Sequence, residues 1–151
     1  GKICKEVGFI NHGIVRYYIN HNGEEKNYGF GREGDFVSNY ESFIPETPSG
    51  QSIQALEDCS LMTLTKSGLE EFYKKIKQGE RFGRKAIEMV FIQAIKDIKS
   101  LYTDPPETRY LHFLSEYPEL QQRLPQYHIA SYVGVKPQSL SRIRKRRSRT
   151  G

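Results

Sequence analysis

Up to about residue 65, apolar and polar positions alternate with a period of two, and glycine punctuates the runs. Ile14-Val15-Arg16-Tyr17-Tyr18-Ile19 is rich in β-branched and aromatic side chains and predicts a strand. Asn20-His21-Asn22-Gly23 reads as a turn, because Asn and Gly accept positive φ, and residues 24–30 return as the partner strand. Gly31-Arg32-Glu33-Gly34 makes the next turn and Asp35-Phe36-Val37 a short strand. Residues 44–51 carry Pro45, Pro48 and Gly50 and predict a loop. Residues 52–56 and 61–64 complete the series. About six short strands with frequent turns predict an antiparallel roll or barrel, not a βαβ fold.

From residue 66 the period becomes 3.6. Ser67, with Glu70 three positions on, predicts a capping box opening a helix that runs to Ile76. After Gln78-Gly79 a long helix is expected over residues 80–102. Its apolar positions Ile87, Phe91, Ala94, Ile98 and Leu101 are spaced four, three, four and three, a heptad seam that predicts self-association. Val90, Ile95 and Tyr102 form an adjoining stripe expected to cover the roll. Asp104-Pro105-Pro106-Glu107 breaks the helix, with Pro106 suited to open the next one. Residues 107–116 then read as an amphipathic helix presenting Tyr110, Leu111 and Leu114. The expected organisation is α+β: a roll over 1–78, a dimerisation helix over 79–103 and a helical end over 104–151.

Charge changes the picture. The 151-residue chain has a net charge of +5. All 18 acids lie before residue 120, against 15 of the 23 Lys and Arg. The remaining eight bases (Arg123, Lys136, Arg142, Arg144, Lys145, Arg146, Arg147 and Arg149) lie in the acid-free C-terminal end. A balanced body with a cationic end points to a polyanionic partner for that end alone. No apolar run is long enough for a membrane span, no signal peptide is visible at the start, and Cys4 and Cys59 are too few for a disulfide scaffold. A reduced cytoplasm is the natural setting.

The sequence from Gln126 to Lys145, QYHIASYVGVKPQSLSRIRK, carries the most information. Ile129, Ala130 and Val133 form the inner face of a short helix ending at Gly134, which suits the left-handed cap. Pro137 fits the first position of a second helix whose buried face is Leu140 and Ile143. Small Ala130 allows close approach and Gly134 a tight turn, as two steeply crossing helices require. The opposite face presents Gln138, Ser139 and Arg142, side chains that hydrogen-bond base edges. Lys136, Arg144, Lys145 and Arg146 sit at the helix ends, nearer to phosphates. This is the pattern of a helix-turn-helix.

In this order of elements the chain resembles the Crp–Fnr superfamily of bacterial transcription regulators, and most closely its Bacteroidetes-type members. The residues that carry the resemblance are Gly13-Ile14-Val15-Arg16-Tyr17-Tyr18, Glu33-Gly34-Asp35-Phe36-Val37, Glu107-Thr108-Arg109-Tyr110, Ile129 to Gly134 and Ser139 to Arg144. It implies a cyclic-nucleotide-binding-like roll (a double-stranded β-helix), a homodimer, double-stranded DNA with an inverted-repeat operator, RNA polymerase as a further partner and an unidentified small-molecule effector. The family's roll has about eight strands, so this chain is expected to begin inside it. Laying Gly34-Asp35-Phe36-Val37 on the family's motif puts Asn39 where cyclic-nucleotide binders carry a glutamate, and Gln51, Ser52 and Ile53 on their phosphate-binding arginine run. A neutral glutamine offers no charged fork for a buried phosphate, so cyclic AMP is not expected to bind in the usual way. The N-terminal cysteine cluster of iron–sulfur relatives is absent from this sequence.

Other chemistry is weakly signalled. His12, His21, His112 and His128 are scattered without metal-ligand spacing, so no metal and no cofactor is expected. Surface or hydrogen-bonded roles are expected for most of them, with a phosphate contact by His128, in the first helix of the helix-turn-helix, as the minor alternative. The glycines at 29, 31 and 34 resemble a phosphate loop by composition only, since no helix follows. No nucleophile elbow is present, and no enzyme is expected. Two alternatives remain open: a cupin-like roll enzyme, and a ligand- or partner-binding module without DNA binding.

Overall fold

The computed structural model describes residues 1–148; Arg149 lies outside the described residues. The chain divides into two compact units, Gly1–Met89 and Val90–Gly151.

The first unit contains six strands: β1 (Glu6–His12), β2 (Val15–His21), β3 (Glu24–Gly31), β4 (Phe36–Val37), β5 (Ser52–Ala55) and β6 (Ser60–Thr65). A four-residue helix α1 (Tyr40–Phe43) lies between β4 and β5. Two three-stranded antiparallel sheets form, in the orders β4-β1-β6 and β3-β2-β5. The β2–β3 hairpin turns where the sequence indicates, through Asn22 at φ 54° and Gly23 at φ 81°. Ile10, Val15 and Val37 are buried together, with Tyr17, Ile53 and Cys59 packed against them. At Gly13, φ is 99° and a Cβ would fall 2.5 Å from the Cys59 sulfur. Glycine is therefore required both by conformation and by the close approach of the segment before β6, which carries Cys59.

Helix α2 (Lys66–Lys75) follows directly on β6. Its cap differs from the expectation: Thr65, not Ser67, is the N-cap, and its side chain accepts from Gly68 N at 3.2 Å. Thr65 has the extended backbone of a cap residue, ψ 170°, whereas Ser67 already lies within the helix. Helix α3 (Gly79–Thr103) is 25 residues long. Its first turns belong to this unit, where Phe82 meets Phe36 and Phe72 at ring separations of 5.9 and 6.1 Å.

The second unit holds the rest of α3, then α4 (Pro106–Glu116), α5 (Leu120–Arg123), α6 (Gln126–Val133) and α7 (Pro137–Arg147). Tyr110 and Phe113 of α4 are buried with Leu120, Leu124, Ile129, Val133 and Leu140, whereas Leu111 is exposed. The rings of Phe113, Tyr117 and Tyr132 meet in a cluster of tilted and edge-to-face contacts, with separations between 5.6 and 6.1 Å. Among the described residues no helix is long and apolar enough to cross a membrane.

Candidate functional site

Asn39 stands at the start of α1, with its backbone oxygen accepting from Ser42 N at 3.0 Å and Phe43 N at 2.7 Å. Its side chain does not cap the helix. It is buried, only 3% exposed, and belongs to a hydrogen-bonded series. The Tyr28 hydroxyl donates to Gln51 Oε1, Gln51 Nε2 donates to Asn39 Oδ1, and Asn39 Nδ2 donates to Ser49 Oγ. Ser49 Oγ then donates to the Gln51 carbonyl at 2.6 Å and accepts from Gln51 N at 3.1 Å. Every donor in this series has one acceptor, an arrangement in which bonds polarise one another.

All four side chains are neutral. Burial, and secondarily the Glu41 carboxylate, push the Tyr28 phenol up to about 12, so it remains a proton donor throughout the physiological range. The same carboxylate opposes an incoming anion. The structure thus brings Asn39 and Gln51 together; Ser52, also expected here, is exposed on β5. Buried Arg16 has other partners. Its guanidinium donates to Glu25, to Asn27 Oδ1 at 3.0 Å and to Gln54 Oε1 at 2.6 and 2.8 Å, and it lies 4.1 Å above the Tyr18 ring.

In the second unit α6 ends at Gly134, which takes φ 76° and ψ 36°. Gly134 N donates to Ser131 O at 3.1 Å and Val135 N to Ala130 O at 2.9 Å, which closes the helix. Lys136 caps the entry to α7 and Pro137 opens it. Ile129, Ala130 and Val133 on α6 are buried, as are Leu140 and Ile143 on α7. Gln138 and Arg142 are exposed and Ser139 is half-buried. Lys136, Lys145 and Arg146 are exposed, and Arg144 is half-buried. Arg146 also stands 3.5 Å from Glu107 on α4.

For His128 the structure disfavours the minor alternative of a phosphate contact. This residue is 5% exposed and its ring lies 4.1 Å from that of Tyr127, so it belongs to the interior of the helical unit and not to a phosphate-facing surface. Arg109, marked in the sequence only by the Glu107–Tyr110 resemblance, has a structural role that the sequence does not signal. Its Nε donates to Val133 O at 2.7 Å and its Nη1 to Asp104 O at 2.6 Å, joining the end of α6 to the end of α3.

On α3 the seam residues Ile87, Phe91, Ala94, Ile98 and Leu101 are all exposed. Phe91 stands at 65%, Ile98 at 52% and Leu101 at 59%. Val90, Ile95 and Tyr102 of the adjoining stripe are exposed as well.

The chain thus combines a roll of two antiparallel sheets, a long helix and a C-terminal pair of helices, α6 and α7, joined by the turn at Gly134. The sequence model of the cyclic nucleotide-binding domain matches residues 1–76, and the chain belongs to that family. Its fold is that of the Crp–Fnr transcription regulators. The structure of a CooA mutant from Carboxydothermus hydrogenoformans superposes with a TM-score of 0.78 at 16% identity, covering 97% of this chain and 69% of the other. A Eubacterium rectale protein assigned to the crp/fnr family of transcriptional regulators gives 0.72 at 15% identity, covering 99% and 72%. FixK2 from Bradyrhizobium japonicum gives 0.70 at 22% identity, covering 97% and 76%. No curated protein matches the sequence significantly.

Proposed function

We propose that the protein is a homodimeric, sequence-specific DNA-binding transcription regulator whose roll does not take cyclic AMP in the usual way. The observation that carries the reading is α7: Gln138 and Arg142 stand exposed on a helix whose other face is buried through Leu140 and Ile143. This helix lies in an acid-free, cationic segment. Side chains able to hydrogen-bond bases, on the N-terminal part of such a helix, suit the major groove. Lys136, Arg144, Lys145 and Arg146 supply phosphate contacts. Residues 1–78 act as the sensor roll, 79–103 as the dimerisation helix and 104–151 as the DNA-binding part.

The exposed seam of α3 supports self-association, because Phe91, Ile98 and Leu101 leave a continuous apolar stripe in water. A change in the roll would shift α3 and so reset the spacing of two recognition helices. RNA polymerase is the further partner such a regulator engages, and the cytoplasm is where it works. Selection of bound sequences from a random double-stranded DNA pool tests the reading. An inverted repeat with half-site centres about 34 Å apart is expected. Retention of all sequences alike would overturn it.

A further inference from the structure

Between the first residue of α6 and one side of α7 lies a notch of about 410 Å³, lined by Gln126, Pro137, Ser141, Arg144, Lys145 and Ser148. The α7 residues recur at spacings of four, three, one and three, which sets them on one side of the helix, beside the side that carries Gln138 and Arg142. None of the lining residues is acidic. Arg144 is half-buried, yet among the described residues neither its guanidinium nor the Lys145 ammonium has an ion pair or a hydrogen bond. The side chains of Ser141 and Gln126 are likewise without a partner among the described residues. Ser148 alone is engaged, its hydroxyl donating to the Lys145 carbonyl at 3.0 Å. Arg146 differs from these, since it stands 3.5 Å from Glu107.

We infer that this notch binds a phosphate group, with Arg144 and Lys145 supplying the charge and Ser141 and Gln126 the neutral hydrogen bonds. All four unpartnered side chains can donate, so the ligand that satisfies them together is one that accepts from several directions. A phosphate does so: the guanidinium offers it a fork and the ammonium a point charge. A half-buried guanidinium has already lost part of its water, and an anion replaces what burial removed. A backbone phosphate of duplex DNA and the phosphate of a small molecule share this chemistry, and the volume lies in the range of small-molecule sites, roughly 300–1,000 Å³. For DNA the inference rests on the proposed DNA-binding reading; for a free phosphate it does not. Because the same two cations are assigned to the DNA backbone, a phosphorylated small molecule held in the notch opposes DNA binding.

Amide chemical shifts of the full chain, titrated with inorganic phosphate at an ionic strength held constant with chloride, test the notch without DNA. Saturable shifts are expected at the start of α6 and along residues 137–148. Arg144→Gln should raise the apparent Kd about tenfold, as loss of a charged hydrogen-bonding partner does. Ser141→Ala removes one exposed hydroxyl, leaves the buried face of α7 intact and should raise it about threefold. Arg147→Gln makes the same change of charge outside the notch and should leave phosphate affinity unchanged. Shifts that never saturate, or an equal loss in Arg147→Gln and Arg144→Gln, would overturn the notch and leave only the attraction of an anion to a cationic helix. Retention on random-sequence duplex separates the two sources. A parallel loss in Ser141→Ala assigns the DNA backbone, and an unchanged duplex affinity assigns a free phosphorylated molecule; either upholds the notch. Failure of the wild type to bind any duplex would instead overturn the proposed function, and the phosphate result would stand independently.

Discussion

Arg109 donates from Nε to the carbonyl oxygen of Val133 at 2.7 Å, across 24 positions of sequence. That carbonyl belongs to the last residue of α6, where no intrahelical donor remains, and Nη1 satisfies Asp104 O just beyond α3 at 2.6 Å. One planar guanidinium therefore serves two helix ends. Arg109→Ala should destabilise the second unit by about 1–3 kcal/mol, since two acceptors lose charged donors. Lysine should recover only part of this, because a single ammonium lacks the fork. Thermal unfolding of the three proteins measures it; equal stability of wild type and Arg109→Ala would refute the staple.

Placing charge on α3 should separate assembly from folding. Phe91 and Ile98 are 65% and 52% exposed in the single chain, so replacing them removes little internal packing. Phe91→Glu with Ile98→Glu should convert a dimer to a folded monomer in sedimentation, with circular dichroism unchanged. A wild type that sediments as a monomer at every concentration would refute the seam.

Asp97 supplies a pH dependence. Burial raises its carboxyl pKa; the Glu116 carboxylate adds to this, while a hydrogen bond from Gln93 at 2.9 Å and the charges of His112 and Lys96 work against it. A raised folded-state pKa means that stability present in acid is lost as pH rises through that value. Asp97→Asn retains the acceptor for Gln93 and cannot ionise. It should therefore be more stable than wild type at neutral pH, and the difference should shrink as pH falls below about 4. Urea unfolding across pH measures this; a difference that grows in acid would contradict it.

Much of this fold was legible in the chain because periodicity reports burial. The hairpin at Asn22-Gly23, the long helix and the turn at Gly134 all follow from positions whose side chains or φ values admit few alternatives. Helix α1 was not legible, since four residues carry no period. The α2 cap was misplaced because Thr65 and Ser67 are both hydroxyl residues two positions apart, and only the extended backbone at Thr65 decides between them. The structural role of Arg109 was not legible because it donates to the backbone carbonyls of Val133 and Asp104, which leave no signature in sequence. In the hydrogen-bonded series at the start of α1, the neutrality of Asn39 and Gln51 was readable. That they bond to each other and to Tyr28 was not, because it depends on how the 44–51 loop returns.

Cyclic AMP should show no saturable heat of binding below millimolar concentration. The residues of this series, Tyr28, Gln51, Asn39 and Ser49, are neutral, and Arg16 is engaged by Glu25, Asn27 and Gln54. Placing a phosphate among neutral amides leaves a charge without its compensating cation. Micromolar affinity by calorimetry would show that the series opens readily and would overturn this view of it.

The proposed reading of DNA by α7 makes two residues fail differently. Arg142 lies on the same exposed side as Gln138, four positions earlier, in the N-terminal half of a helix that starts at Pro137. Its fork fits the O6 and N7 atoms of guanine, and the Gln138 amide fits adenine in the same bidentate way. Lys145 is exposed in the last turns, where a helix entering the groove by its N-terminal end brings phosphates closer than bases. Arg142→Ala should cost about 1–3 kcal/mol on the selected site and flatten preference at one base pair per half-site. Lys145→Ala should weaken all sequences alike and reduce the slope of log affinity against log salt by about one. Neither change should disturb folding, since both side chains are exposed and the buried face of α7 is Leu140 and Ile143. Equal losses on selected and random DNA for Arg142→Ala would make Arg142 a phosphate contact and move the base-reading face elsewhere on α7.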